Sequence, residues 1–268
     1  MLELIQISND PAFARRCDAL GGFRLFVDLE RLGKAERQAG RNTFISTHEI
    51  EDVGRVKRVL NQSPLMVRVN PLNPATPGEV AAVLAQGANL LMLPMFTRAS
   101  ELREFCELVG GRAPVVALLE TAGALACLDE WIATPGLYEV YVGLNDLHLS
   151  LGHRFMFEPL TLGMVDRVAL AAKSQGLRFG FGGIARLDQG LLPGRDVLAE
   201  HLRLGSGSVI LSRTFHRSED GGSFEAAVIG LRQAERELAQ RTPAQIESDA
   251  RRIGATIRAV AARAGAKA

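Results

Sequence analysis

Short apolar runs alternate with longer amphipathic stretches along most of the chain, and the two periods separate cleanly. Runs rich in Val, Ile, Leu and Phe predict strands at Leu2 to Ser8, Phe23 to Glu30, Leu65 to Asn70, Leu90 to Phe96, Val115 to Thr121, Tyr138 to Asp146, Arg178 to Ile184 and Ser208 to Phe215. Several are apolar at nearly every position, the pattern of parallel strands covered on both faces by helices. Three- and four-residue spacing predicts helices at Pro11 to Leu20, Ile50 to Leu60, Pro77 to Gln86, Ser100 to Val109 and Thr161 to Gln175. Gly87, Gly110 and Gly176 stand just past three of them, where a helix C-terminus favours positive φ. This alternation predicts an α/β protein built as a (β/α)8 TIM barrel, with an open doubly wound sheet as the alternative.

One apolar run, Asn42 to His48, is surplus to that count and is assigned to a long loop after the second strand, which places Lys34 and His48 near the strand ends; a plain extension of the strand is the alternative. Beyond Phe215 the pattern is helical. Phe224 to Gln240 supplies the barrel's last helix, and Thr242-Pro243-Ala244-Gln245 reads as N-cap, N1 proline and N3 glutamine of another. In that helix Ile246, Ala250, Ile253, Ile257 and Val260 form an apolar stripe that needs covering. The expected organisation is a single catalytic barrel over residues 1–241 and a C-terminal helix over residues 242–268 that contacts a neighbouring subunit; packing on its own barrel is the other way to bury it.

The 31 basic and 30 acidic residues of the 268-residue chain nearly cancel, so long-range charge recruits neither nucleic acid nor an anionic membrane. Apolar runs such as Leu90 to Phe96 fall far short of the ~20 residues that span a bilayer, and the first residues show no basic leader; a cytoplasmic protein is expected. Cys17, Cys106 and Cys127 lack CxxC spacing and read as buried small hydrophobes, a catalytic thiol being the alternative.

In a barrel, chemistry collects where polar residues close apolar strands. Those residues are Asp28 and Glu30, Arg68 and Asn70, Glu120 and Thr121, Asn145 and Asp146, Arg186, and Ser212 with Arg213. Glu120 and Asp146 finish neighbouring predicted strands, and two carboxylates brought together are commonly relieved by a hard cation such as magnesium. Arg68, flanked by valines, requires an anion: a substrate carboxylate or enolate oxygen, or a pair with Glu30 or Glu120 that orients the carboxylate. His48, His148 and His153 are candidates for proton transfer, a metal-bound hydroxide being the alternative base. The glycines of Phe179 to Ile184 allow close backbone approach, to a phosphate or simply to neighbouring side chains.

Five segments, Val27-Asp28-Leu29-Glu30, Val67 to Leu72, Gly87 to Met95, Leu119-Glu120-Thr121 and Gly143 to Leu147 with Ser150-Leu151-Gly152, together resemble the HpcH/HpaI aldolase and citrate lyase β family. The resemblance implies a barrel of the phosphoenolpyruvate/pyruvate class, with Glu120 and Asp146 holding Mg2+ or Mn2+ and Arg68 beside the substrate carbonyl. It further implies a substrate carboxylate received by the turn Gly143, Leu144 and Asn145, with Asp28, Glu30 and Pro94 also lining the substrate site. Catalytic roles are expected for Arg68, His48 and His148. Aldolases of the family usually carry a histidine shortly after the Asp-x-Glu of strand two, where Arg31-Leu32-Gly33-Lys34 stands here. The citrate lyase side continues with an acidic residue, and here Arg31 takes that place.

The expected activity is a metal-dependent carbon–carbon lyase of the class II aldolase type acting on pyruvate or a similar 2-oxo acid and an aldehyde. A citryl- or malyl-CoA type lyase, for which Lys34, Arg37 and Arg41 offer a basic groove, is the chemical alternative. A catalytically retired barrel serving as a binding or assembly subunit is the other. The family resemblance implies a homo-oligomer, a trimer or hexamer.

Overall fold

The computed structural model describes residues 1–33, 47–216 and 223–265. Lys34, Arg37, Arg41 and most of the run from Asn42 to His48 lie outside them. Eight strands form among the described residues: β1 Glu3–Ile7, β2 Phe23–Asp28, β3 Leu65–Arg68, β4 Leu90–Leu93, β5 Val115–Leu119, β6 Leu137–Val142, β7 Arg178–Ile184 and β8 Ser208–Leu211. They close into a parallel barrel in sequence order, as a (β/α)8 fold requires. Among the described residues no helix is long and apolar enough to cross a membrane.

Seven of these eight strands are shorter than the apolar pattern predicts, and β6 and β8 each stop four residues before the predicted end. β6 stops at Val142, because Gly143 caps a helix, Leu144–Ser150, that takes Asn145 and Asp146 into its first turn. Those residues therefore do not end a strand. β8 stops at Leu211; the Ser212 hydroxyl accepts from Thr214 N–H, and the chain enters a 3-10 turn at Arg213–His216. Side-chain acceptance of that kind competes with a ladder.

The chain divides into two compact units, Ile5–Tyr141 and Met1–Leu4 with Val142–Ala268. In the first, helices Pro11–Leu20, Ile50–Lys57, Thr76–Ala85 and Ala99–Val109 follow β1 to β4. Asp18, buried at the end of its helix, accepts backbone N–H bonds from Asn61, Gln62 and Ser63. Burial works against its charge, but those three donors outweigh it and hold the carboxyl below the usual range. Arg24 of β2 and Glu139 of β6 form a wholly buried ion pair at 2.7 Å. Such a pair adds little net stability, yet removing one partner costs about 3–5 kcal/mol because the other charge is stranded. Cys17 and Cys106 are buried as expected, while Cys127 is half-exposed.

In the second unit the helix Pro243–Gly265 lies on helices Glu158–Thr161 and Gly194–Leu204. Ile253 and Ile257 are covered there, with Ile246, Ala250 and Val260 half-buried. The chain itself covers Ile253 and Ile257 and leaves the other three residues of the stripe partly open. Gly182 has φ +53°, and a Cβ there would come within 2.9 Å of Leu144 Cδ1, so the glycine serves close packing at this point.

His201 is fully buried, stacked on Phe181 with ring centroids 3.8 Å apart; its Nδ1 lies 2.8 Å from Ser206 Oγ and its Nε2 has no hydrogen-bond partner among the described residues. Burial pushes its pKa down to about 3, from an ordinary value of about 6.5. The fold therefore holds the neutral ring. That contribution is present in full above about pH 6.5 and is lost as pH falls toward 3, with a slope of up to ~1.4 kcal/mol per pH unit. Replacing His201→Phe keeps the stack and removes the proton, so urea unfolding at pH 7 and pH 4.5 should show a smaller acid loss than in the wild type. An equal loss would assign the acid sensitivity to other groups.

Candidate active site

The register of β2 with β3 sets Asp28 directly beside Arg68. Arg68 Nε donates to Asp28 Oδ1 and Nη2 to Oδ2, each at 2.8 Å, and Nη2 also lies 3.3 Å from Glu30 Oε2. The guanidinium sits over the Phe26 ring, 5.7 Å from its centroid, with the side chain 14% exposed. Burial opposes its charge, but Asp28 first, then Glu30 and Glu120, outweigh that and hold Arg68 well above its ordinary pKa. It is a permanent cation whose fork grips Asp28. The expected pairing with Glu30 is present as the longer contact, and Glu120 acts on Arg68 through its field.

The loop after β2 is tied to β3. Asn70 Oδ1 accepts from Arg31 and Leu32 N–H, and its own N–H and Nδ2 donate to Glu79 of helix Thr76–Ala85. Burial raises the Glu79 pKa against those two donors. His48 is buried, and its Nδ1 accepts from Asp28 N–H at 3.1 Å. A neutral imidazole that accepts at Nδ1 carries its proton on Nε2, so His48 presents a donor there.

Glu120 follows β5 directly and is 3% exposed. Its Oε1 accepts from Met95 N–H at 3.1 Å. Met95 has φ 57°, the one non-glycine residue with positive φ among those described, a conformation that costs an L-residue about 1–2 kcal/mol. Pro94, expected at the substrate, is buried beside it. Thr121 leaves the strand to cap the helix Ala122–Ala126, accepting from Ala124 N–H and donating to the Phe96 carbonyl at 2.7 Å.

In the second unit Gly143, Asn145 and Asp146 are half-buried at the start of helix Leu144–Ser150, and Leu144 is buried. His148 in the same helix has Nδ1 3.2 Å from the Leu144 carbonyl. Only N–H can face a carbonyl, so the ring's lone pair is on Nε2, the tautomer a general base needs. Among the described residues no group of three or more His, Cys, Asp or Glu side chains is arranged to hold a metal by itself. Carboxylates in ones and twos suit magnesium, which keeps water and substrate oxygens in its shell.

Residues 7–181 match the HpcH/HpaI aldolase/citrate lyase family. The chain belongs to that family. A (3S)-malyl-CoA thioesterase of Cereibacter sphaeroides is 28% identical over 165 residues, 60% of this chain and 55% of that protein. A hydroxypyruvate/pyruvate aldolase of Rhizorhabdus wittichii is 34% identical over 79 residues, 27% of this chain and 32% of that one. The aligned segments thus span about half, or a third, of those curated relatives. The fold matches a citrate lyase beta subunit from M. tuberculosis, solved with oxaloacetate and magnesium, at TM-score 0.58 and 18% identity over 90% of this chain and 97% of that one.

Sequence reasoning places Asp28, Glu30, Arg68 and Glu120 of this HpcH/HpaI family member at strand ends, and the structure brings them together. It misses Met95, whose contribution is a backbone amide in a conformation no methionine advertises. It also misses the Asn70–Glu79 clasp, although Asn70 stands in a recognised segment.

Asp28→Ala is expected to strand Arg68 and to take from Glu30 N–H its acceptor, Asp28 Oδ1 at 3.2 Å. Breaking a buried pair in this way costs about 3–5 kcal/mol, read as a lowered denaturant midpoint. A midpoint within ~0.5 kcal/mol of wild type would show that Glu30 alone satisfies the guanidinium.

Proposed function

We propose that this protein is a divalent-cation-dependent carbon–carbon lyase of aldolase type, cleaving or forming a bond between pyruvate or a similar 2-oxo acid and an aldehyde. The observation that carries this reading is Arg68, a half-buried permanent cation closing β3 with Asp28, Glu30 and Glu120 around it. Such a constellation suits a reaction in which negative charge develops on a carbonyl oxygen. Membership in the HpcH/HpaI aldolase/citrate lyase family supports it.

In this reading Glu120 and Asp146 supply the carboxylates for Mg2+ or Mn2+, which when bound lends Lewis-acid stabilisation to an enolate. Nε and Nη2 of Arg68 are engaged by Asp28 and Glu30, so Nη1 is the donor assigned to the substrate oxygen. Gly143, Leu144 and Asn145 receive the substrate carboxylate. His148, with its lone pair on Nε2, is the better placed of the two expected histidines to accept a proton, and His48, with its N–H on Nε2, to donate a hydrogen bond. A second reading, cleavage of a CoA thioester of the malyl or citryl kind, is favoured by the likeness to the malyl-CoA thioesterase.

Calorimetric titration with magnesium and oxalate, an enolate mimic, tests the central claim, and product detection from pyruvate with aldehydes or from malyl-CoA separates the two chemistries. Oxalate binding is expected only with the cation present. Metal-independent binding, or none, would favour a retired barrel.

Glu120→Gln and Asp146→Asn are each expected to reduce turnover by at least 10²-fold, a loss of about 2.7 kcal/mol in transition-state stabilisation, with the thermal midpoint preserved. A fully active mutant at limiting magnesium would remove the claim. Arg68→Lys should likewise lower kcat, because a compact ammonium cannot hold Asp28 through two parallel bonds and still reach a substrate oxygen. A wild-type kcat with only weaker magnesium affinity would make Arg68 an orienter of the carboxylates.

A further inference from the structure

The segment between β4 and helix Ala99–Val109 is held at more points than a connection requires. Met95 N–H donates to Glu120 Oε1 at 3.1 Å, and one residue further along each chain segment Thr121 Oγ1 donates to the Phe96 carbonyl at 2.7 Å. The Phe96 ring stands edge-on to the buried Trp131, with centroids 5.2 Å apart. Thr97 N–H donates to Glu101 Oε2 at 2.6 Å, and a Cβ at position 123 would lie 2.7 Å from the Thr97 carbonyl oxygen, so Gly123 is what lets the two segments approach. Between these anchors Met95 adopts φ 57°. A left-handed methionine persists only where its surroundings over-determine it, and such outliers gather at functional sites.

We propose that Met95 is a positioning residue: the clamped turn aims its backbone amide at Glu120, fixing one carboxylate oxygen and thereby the direction of the other. The inference rests on the metal role proposed for Glu120 and adds to it the element that orients the ligand. A glutamate's terminal torsion is broad and roughly two-fold, so an unanchored carboxylate samples many orientations. One N–H bond to Oε1 removes that freedom before a cation arrives, which is the way second-layer contacts raise metal affinity. Residue 95 needs no particular side chain for this. It needs the left-handed backbone that turns the amide inward.

Mn2+ binding in the presence of oxalate, followed by electron paramagnetic resonance, separates the possibilities. Met95→Ile keeps the N–H, but its branched Cβ disfavours left-handed backbone, and it is expected to weaken Mn2+ binding about tenfold while the metal-free thermal midpoint stays within a few degrees of wild type. Met95→Gly, which takes left-handed backbone without the penalty of a Cβ, should keep binding within about twofold of wild type. Thr121→Val, which loses the bond to Phe96, should weaken binding, and Thr121→Ser, which retains it, should not. Wild-type affinity in Met95→Ile would overturn the proposal by making the turn a mere connection. Equal losses in Met95→Gly and Met95→Ile would overturn it by assigning the effect to the side chain. If the wild type itself binds no Mn2+, the proposed function fails first and takes this inference with it, an outcome visible before any variant is made.

Discussion

A charged side chain placed at the end of a buried strand has lost most of its water and must recover that energy from a neighbour, and the pairing of β2 with β3 decides which neighbour Arg68 finds. The same register that puts Leu25 beside Leu65 and Val27 beside Val67 puts Asp28 beside Arg68. Apolar packing lower in the strands thus sets the electrostatics at their ends. A slip of one residue would carry Asp28 to the opposite face and leave the guanidinium among valines. Glu30, Glu120 and the His48 ring all depend on this pair, the last because its acceptor nitrogen is bound to the Asp28 backbone.

β2 applies the alternation of a strand twice. Arg24, Phe26 and Asp28 share one face at successive levels. Arg24 meets Glu139 in a fully buried pair, and Phe26 lies under the Arg68 guanidinium, 5.7 Å from it. Cation, ring and anion alternate along one strand, and a buried arginine finds a carboxylate at each end of the series. The lower pair holds no catalytic promise; it is a polar contact within the core that tolerates neither partner alone.

The barrel is legible in the chain because its strands are covered on both sides and therefore apolar without interruption, while its helices keep a polar face. The same feature hides strand ends. Val140 to Leu144 is one apolar run, and only Gly143 marks where β6 gives way to the helix that carries Asn145 and Asp146. The carboxylates and Arg68 stand out in the sequence as charges within apolar surroundings. Which acid Arg68 would choose does not, since that depends on the register between two strands separated by the whole of a helix. The stripe of Ile253 and Ile257 reads as a surface in want of cover, and pattern alone cannot say whether the cover is the chain itself, as it proves to be.

Because the contact to Glu120 is made by a peptide amide, it has no letter in the amino-acid alphabet. Any residue that tolerates left-handed backbone at position 95 supplies the same hydrogen-bond donor, and asparagine or aspartate would do so with less strain than methionine. Relatives that keep the device are therefore free to differ at this position. What they must share lies on either side of it: the hydroxyl after the glutamate and the small residue that permits the close approach. A search by residue identity would pass over the position doing the work and stop at its supports.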